Sequence, residues 1–404
     1  MIASRAVVFR KKRHSFQSLA LMGVLSAALA STSCDPDEPA PPSSTPSVGV
    51  ALADSIIKEW PDPDTITTKK WEYTNGVLFV GFARLYEKTQ DRRYLDYIKT
   101  WVDKYVDSNG DIPSYPAEHN LDLIQPANLF FPLYEATQEP KYKLAATKIR
   151  ARYADFPVNT EGGFWHKTKY PDEMWLDGIY MAGPYITQYG AEFATSEEER
   201  TGSFDTVVKQ IKLIHQHTYN PTTKLHFHAW DADRNVAWAN PDTGVSPIHW
   251  NRSMGWFAMA LVDTLEHLPS SHSGYQDIQD ILRNVAEGLK NTQDPATGLW
   301  FQVLDKGDQP DNWLETSGSA MFVYALKKAV TLGYISNDYA SVAQKGWEGV
   351  KSKITYGPDG HVVVRDSVQG MGVQVDYANY VNKERVENLP QGMFAVMLAS
   401  TVME

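Results

Sequence analysis

A lone aspartate, Asp177, stands in Met174-Trp175-Leu176-Asp177-Gly178-Ile179-Tyr180-Met181, between a tryptophan and the opening turn of an apolar segment. A carboxyl group there is partly dehydrated, which favours its neutral form and makes it a candidate proton donor near neutral pH. The helix N-terminus beneath it stabilises the anion and pulls the other way, so an elevated pKa is expected if burial outweighs the helix end. An acidic residue at a helix start is also the ordinary helix cap. The arrangement returns 138 residues on, as Asn312-Trp313-Leu314-Glu315-Thr316-Ser317-Gly318-Ser319-Ala320-Met321. Ser317, Gly318 and Ser319 there suggest tight helix packing, which favours a structural role for Glu315.

Asp122, in His119-Asn120-Leu121-Asp122-Leu123-Ile124-Gln125-Pro126, also precedes a helical segment. Beside Asp177 it would separate acid from base roles; alone it reads as a turn residue. His228 and the run His249-Trp250-Asn251-Arg252-Ser253-Met254-Gly255-Trp256 supply the complementary groups. Arg252 offers a planar fork for a carboxylate, and Trp250 a face for a sugar ring or for the guanidinium itself. Spacing alone equally allows Arg252 to hold the C-terminus of the preceding helix. His166 and Lys167 add a donor pair. His226 and His228 lie two apart on a strand-like piece, but no second acidic or histidine partner has ligand spacing, so no metal is expected. No cofactor is expected either: there is no glycine-rich phosphate loop after a strand, and Gly-x-Ser-x-Gly is absent.

These residues need elements to carry them. Apolar spacing of the i, i+3, i+4 kind recurs near 50–60, 71–88, 92–106, 126–138, 141–155, 175–192, 203–218, 253–268, 274–292, 315–332, 337–353 and 388–402. Twelve helices make six hairpins. The stretch Glu87-Lys88-Thr89-Gln90-Asp91-Arg92-Arg93-Tyr94 is echoed 48 residues later by Glu135-Ala136-Thr137-Gln138-Glu139-Pro140-Lys141-Tyr142, each ending one helix and starting the next. Aromatic strand-like pieces at 163–167, 225–230 and 298–305 lead through polar loops into apolar helices. A closed ring of inner and outer helices would gather those loops and the helix N-termini around one depression; an open solenoid would spread them along a ridge.

With 43% apolar and 12% aromatic residues the chain can bury a large core and still expose rings for a ligand. A net charge of −11 argues against nucleic acid or an anionic polymer gripped over a broad surface, but not against one anion held by local cations. Residues 1–34 read as a lipoprotein-type signal segment: Arg5, Arg10, Lys11, Lys12 and Arg13 precede an apolar run, Leu19 to Ala30, too short to span as a mature helix. Cys34, the only cysteine, follows Ser31-Thr32-Ser33 and is the expected lipid anchor. An exported bacterial lipoprotein, periplasmic or outer-membrane associated, is the expectation, with the membrane touched only through that anchor. No cysteine remains for catalysis or for a metal. Residues 35–49, rich in Pro, Ser and Asp, read as a tether, and 50–404 as one domain.

In order and spacing, Trp71-Glu72-Tyr73-Thr74-Asn75-Gly76, the Met174-to-Met181 segment, Phe227-His228-Ala229-Trp230-Asp231, the Trp250-to-Trp256 run and Gly298-to-Asp305 leading to Leu314-to-Ala320 resemble glycoside hydrolase family 105, the unsaturated rhamnogalacturonyl hydrolases, related to the unsaturated glucuronyl hydrolases of family 88. The resemblance runs over nearly the whole chain from about residue 50. It implies an all-α (α/α)6 barrel and a substrate oligosaccharide with a terminal 4,5-unsaturated uronate, left by a polysaccharide lyase. Protonating C4 of that enol ether gives an oxocarbenium at C5 that water captures, and the hemiketal falls apart without attack at C1. Carried over by position, Asp177 is the general acid and base and Asp122 the assisting carboxylate. Tyr73, His166, Lys167, Trp175, His228, Trp250 and Arg252 would line the pocket. Two alternatives share these features: a non-catalytic surface glycan-binding lipoprotein, and an ordinary inverting glycosidase with two carboxylates about 6.5–9.5 Å apart. A lyase would want a broadly positive cleft, which the net charge disfavours.

Overall fold

The computed structural model describes residues 46–404. The signal-type segment with Cys34 and the tether up to residue 45 lie outside the described residues. Helices follow as α1 (Val48–Glu59), α2 (Tyr73–Thr89), α3 (Arg92–Tyr105), α4 (Phe130–Thr137), α5 (Pro140–Ala151), α6 (Leu176–Glu192), α7 (Glu197–Thr218), α8 (Asn251–His267), α9 (Tyr275–Thr292), α10 (Thr316–Thr331), α11 (Ala340–Lys351), α12 (Tyr377–Val381) and α13 (Pro390–Met403). Twelve of them fall on the segments expected from periodicity; the single-turn α12 does not. Positions 48 and 49, read from sequence as tether, belong to α1, because Ser47 Oγ accepts the Val50 N–H and starts the helix there.

Burial pattern sorts the helices into two layers. In α8 every residue from Asn251 to Leu265 is buried, and in α13 every residue from Gln391 to Ser400. A helix apolar all round must stand inside. In contrast α3 buries a stripe, Tyr94, Leu95, Tyr97, Ile98, Trp101 and Val102, and turns its charged side outward. The inner members α2, α6, α8, α10 and α13 pack in succession, the irregular segment Leu121–Thr137 fills the sixth place between α2 and α6, and α13 returns to pack on α2. The ring is therefore closed, an (α/α)6 barrel rather than a solenoid. Helices α3, α5, α7, α9, α11 and α1 form the outer layer.

The 48-residue echo is one hairpin turn built twice. Gln90 and Gln138 both take positive φ, 59° and 57°, and each side-chain amide donates to the last carbonyls of its helix. Thr89 and Thr137 cap in the same way, and Tyr94 and Tyr142 are both buried. At the other end of the hairpins, outer helices run into a tight turn opened by Asp107, Asn159, Asn220 or Asp294, whose carbonyl accepts from Gly110, Gly162, Lys224 or Gly298 at positive φ.

The strand-like pieces are less regular than expected. Two-stranded ribbons pair β1 (Glu173–Trp175) with β2 (Ala229–Asp231), β3 (Trp300–Phe301) with β4 (Leu314–Glu315), β5 (Ile354–Tyr356) with β6 (Val362–Val364), and β7 (Ser367–Val368) with β8 (Arg385–Val386). The 163–167 piece makes only isolated bridges, Val158 to Phe164, Asn120 to Lys167 and Lys167 to Tyr170. Among the described residues no helix is long and apolar enough to cross a membrane.

Candidate active site

First turns of the inner helices bring their side chains to one depression of roughly 250 Å³. Its lining includes Tyr73 from the start of α2, Asp122 from the 3₁₀ turn Leu121–Leu123, Asp177 from the first turn of α6, and Trp250 with Arg252 at the start of α8. His166, Lys167 and Trp175 line it as expected, and Tyr170, Met181, Trp256 and Gly370–Gly372 also face the space. His228 does not line it. It is wholly buried behind Asp177, with Nε2 3.2 Å from Asp177 Oδ2.

Backbone bonds hold these groups in register. Leu176 N–H donates to the His228 carbonyl at 3.0 Å, fixing the start of α6 against the strand that carries the histidine. Leu121 N–H donates to the His166 carbonyl at 3.1 Å, and the Asn120 side chain accepts from Asp122 N–H at 3.0 Å. Asp122 is thereby set against Lys167 Nζ at 2.5 Å and His166 Nε2 at 3.5 Å. The His166 ring stacks on Trp175 at 4.2 Å between centroids. A Cβ at Gly178 would come within 3.0 Å of His166 Nδ1, so glycine lets that ring reach the wall of α6. His226 meets His215 at 2.8 Å while His228 meets Asp177; a regular strand would put residues two apart on one face, but the chain bends at His228 and the two rings have different partners.

Electrostatics correct one expectation. Burial does raise the cost of the Asp177 anion, but the charges of His228, His166 and Arg252 and the His228 contact outweigh it, and the carboxyl is held below its usual value. The raised pKa expected from the sequence is not that of the free enzyme. It counted the apolar neighbours and could not count the arginine and the two histidines that the ring folds around them. Burial lowers His166 to about 4 and raises Tyr73 to about 12, whose hydroxyl accepts from the Gln391 side chain at 2.8 Å. Burial works against the Lys167 ammonium, yet Asp122 outweighs it and keeps the lysine charged.

Arg252 is more committed than its sequence suggested. Its guanidinium lies 5.0 Å over the Trp250 ring and donates to the carbonyls of Val368 and Gln369, the latter at 3.0 Å. It clamps the strand that leads into the 370–372 wall instead of holding the end of a preceding helix. Glu315 is fully buried and held by four donors: it accepts from Ser317 N–H at 3.0 Å, Ser317 Oγ at 2.6 Å, Gly318 N–H at 2.6 Å and Val368 N–H at 2.9 Å. It is a helix cap, wholly buried and not among the residues that face the depression.

Three contributors were missed from sequence. Tyr380 of α12 is wholly buried and meets His228 Nδ1 at 2.8 Å. The 370–374 loop forms a wall, with Gly372 close against Trp175. Glu173, buried in β1, accepts from Trp175 Nε1 at 2.7 Å, and burial raises its carboxyl to about 7. Residues 354–387 show no helical period, so no pattern pointed to Tyr380 or the loop. Glu173 could have been found as a lone acid in an otherwise apolar, aromatic strand.

The model of Glycosyl Hydrolase Family 88 matches residues 49–404. The chain is 28% identical over 342 residues to the unsaturated rhamnogalacturonyl hydrolase YesR of Bacillus subtilis, covering 82% of this chain and 90% of that one. A solved glycoside hydrolase from family 105 of C. acetobutylicum superposes with a TM-score of 0.82 at 34% identity, over 88% of this chain and 99% of that one. The unsaturated glucuronyl hydrolase of Bacillus sp. GL1 shares the fold, with a TM-score of 0.64 at 12% identity over 87% of this chain and 94% of that one.

Proposed function

Because the chain belongs to Glycosyl Hydrolase Family 88, we propose that this glycosidase removes a 4,5-unsaturated uronic acid from the non-reducing end of lyase-generated oligosaccharides, such as unsaturated rhamnogalacturonan disaccharides. The observation that carries the reading is the state of the carboxylates. Asp177 opens on the cavity with Oδ2 set against His228, while Glu315 is spent as a cap. An inverting enzyme working with Asp177 and Glu315 lacks its second carboxylate. Hydration of an alkene needs only one group that gives a proton and takes one back.

In the proposed reaction the Asp177 carboxyl passes its proton to C4, and the π electrons of C4=C5 form the new C–H bond. The ring oxygen shares the charge at C5. Water adds to C5 and returns a proton to the Asp177 carboxylate. The hemiketal opens, C1 keeps a hydroxyl beside the glycosidic oxygen, and that hemiacetal expels the leaving sugar. Asp122, oriented by Lys167, is the assisting carboxylate. Arg252 and Lys167 supply positive potential for the uronate, and Tyr73, His166, Trp175, Trp250 and the buried His228 shape and brace the subsite. A uronate bound here adds negative charge and removes water, so Asp177 gains its proton more readily in the complex than in the free enzyme.

Matched disaccharides with a saturated and an unsaturated terminal uronate test the reaction. The unsaturated one should be cleaved with loss of its ultraviolet absorbance and the saturated one left intact. Equal cleavage of both would indicate an ordinary glycosidase, and binding without turnover a glycan-binding protein. We also propose that the chain is exported and anchored by a lipid on Cys34, a reading supported by the basic and apolar run before it. Metabolic labelling with palmitate that disappears in Cys34→Ala would support this; label retained in the variant would refute it.

A further inference from the structure

We propose that Tyr380 is a positioning residue for this hydrolysis: its hydroxyl fixes which nitrogen of His228 carries the ring proton, and through that proton it sets how readily Asp177 is protonated. The inference rests on the reading that Asp177 exchanges a proton with the substrate. Three polar contacts run in line from the loop wall to the cavity. Gln374 N–H donates to Tyr380 Oη at 3.2 Å, Tyr380 Oη meets His228 Nδ1 at 2.8 Å, and His228 Nε2 lies 3.2 Å from Asp177 Oδ2. Tyr380 and His228 are wholly buried, so water does not substitute for a lost partner.

Counting donors selects one arrangement. With a single ring proton on Nε2, Tyr380 donates its hydrogen to Nδ1, its oxygen accepts from Gln374, and Nε2–H faces the Asp177 carboxylate. With that proton on Nδ1, Tyr380 Oη would accept twice and its own hydrogen would lose its acceptor. Only in this second arrangement is Nε2 bare and able to accept from a protonated Asp177. The hydroxyl therefore weighs against the protonated acid. The 3.2 Å contact to Asp177 is bent off the line of the ring N–H, and Oδ2 has no hydrogen-bond partner among the described residues. A modest bias in the tautomer thus decides what that oxygen meets.

The groups facing His228 are Asp177 from α6, Tyr380 from α12 and the rings of Trp175 and Trp250, with His166 acting at longer range. Arg252 acts on Asp177 in addition. Tyr380→Phe keeps the ring and removes the hydroxyl, leaving all of these charges in place. It should move the alkaline limb of kcat/KM for an unsaturated disaccharide upward by about 0.5–1 pH unit, the worth of one buried neutral hydrogen bond. A limb that stays where the parent has it, whatever the loss in rate, would overturn the proposal and leave Tyr380 as packing. ¹⁵N-histidine spectra of the parent protein decide the matter without the variant: His228 protonated at Nε2 and bare at Nδ1 supports it, and protonation at Nδ1 contradicts it. If the parent consumes no unsaturated disaccharide the hydrolase reading fails, and the spectra still test the tautomer separately.

Discussion

Two inner helices begin with an acidic residue after a Trp-Leu pair, and they use it in opposite ways. At α10, Glu315 stands one residue before the helix and folds back onto the N–H groups of Ser317 and Gly318. At α6 the helix starts earlier relative to the shared pattern, so Asp177 is its second residue and Trp175 takes the cap position without a side-chain bond. In the frame of the helices it is Ser317, not Glu315, that matches Asp177, and Gly178 matches Gly318. A shift of two residues in where the helix opens separates a spent carboxylate from an available one. His228 then gives the available one a single buried neighbour in place of four donors.

Isosteric amides at the two positions should split activity from stability. Asp177→Asn should lower kcat on an unsaturated disaccharide on the order of 10³-fold, the scale of losing a general acid, and change unfolding free energy by less than about 1 kcal/mol. Glu315→Gln should do the reverse, costing about 2–4 kcal/mol in denaturant unfolding, since an amide nitrogen would face N–H donors in a buried site. An inactive but stable Glu315→Gln would break the comparison.

A third buried acid sharpens it. Glu173 has a folded pKa raised from 4.5 to about 7, so its contribution favours the fold below the unfolded value and is lost as pH rises toward 7. Glu173→Gln keeps an acceptor for Trp175 Nε1 and should stabilise the protein at pH 8 by roughly 2–3 kcal/mol while changing it little at pH 4. Thermal unfolding at the two pH values checks this; equal shifts at both would contradict it. The smallest effect concerns Asp177 itself. Its pKa is held down in the free enzyme and should rise when the uronate binds. The alkaline limb of kcat should therefore lie about one pH unit above that of kcat/KM, because the first reports the complex and the second the free enzyme. Coincident limbs would mean that the substrate does not tune the acid.

The hairpins were legible because apolar residues recur with the helical period and the Gln90 and Gln138 turns repeat their residues, whereas the residues alone left ring and solenoid both open and only the resemblance implied the ring. Eight of the residues that line the depression were named from sequence, because they open inner helices or the loops feeding them or, for Tyr73 and Trp175, because the resemblance carried them over. What escaped has no period: α12, the 370–374 loop and the hydrogen bond from Tyr380 join residues 152 positions apart. The charge state of Asp177 escaped for a related reason. Its apolar neighbours are adjacent in sequence, whereas His228 and Arg252 reach it only through the fold.

The proton on C4 is the most direct measurement. Turnover of an unsaturated disaccharide in D2O, with the released keto sugar reduced by borohydride as it forms, should give one deuterium on one face of C4, and none from Asp177→Asn. Deuterium on both faces, or early product without it, would contradict delivery of that proton by Asp177.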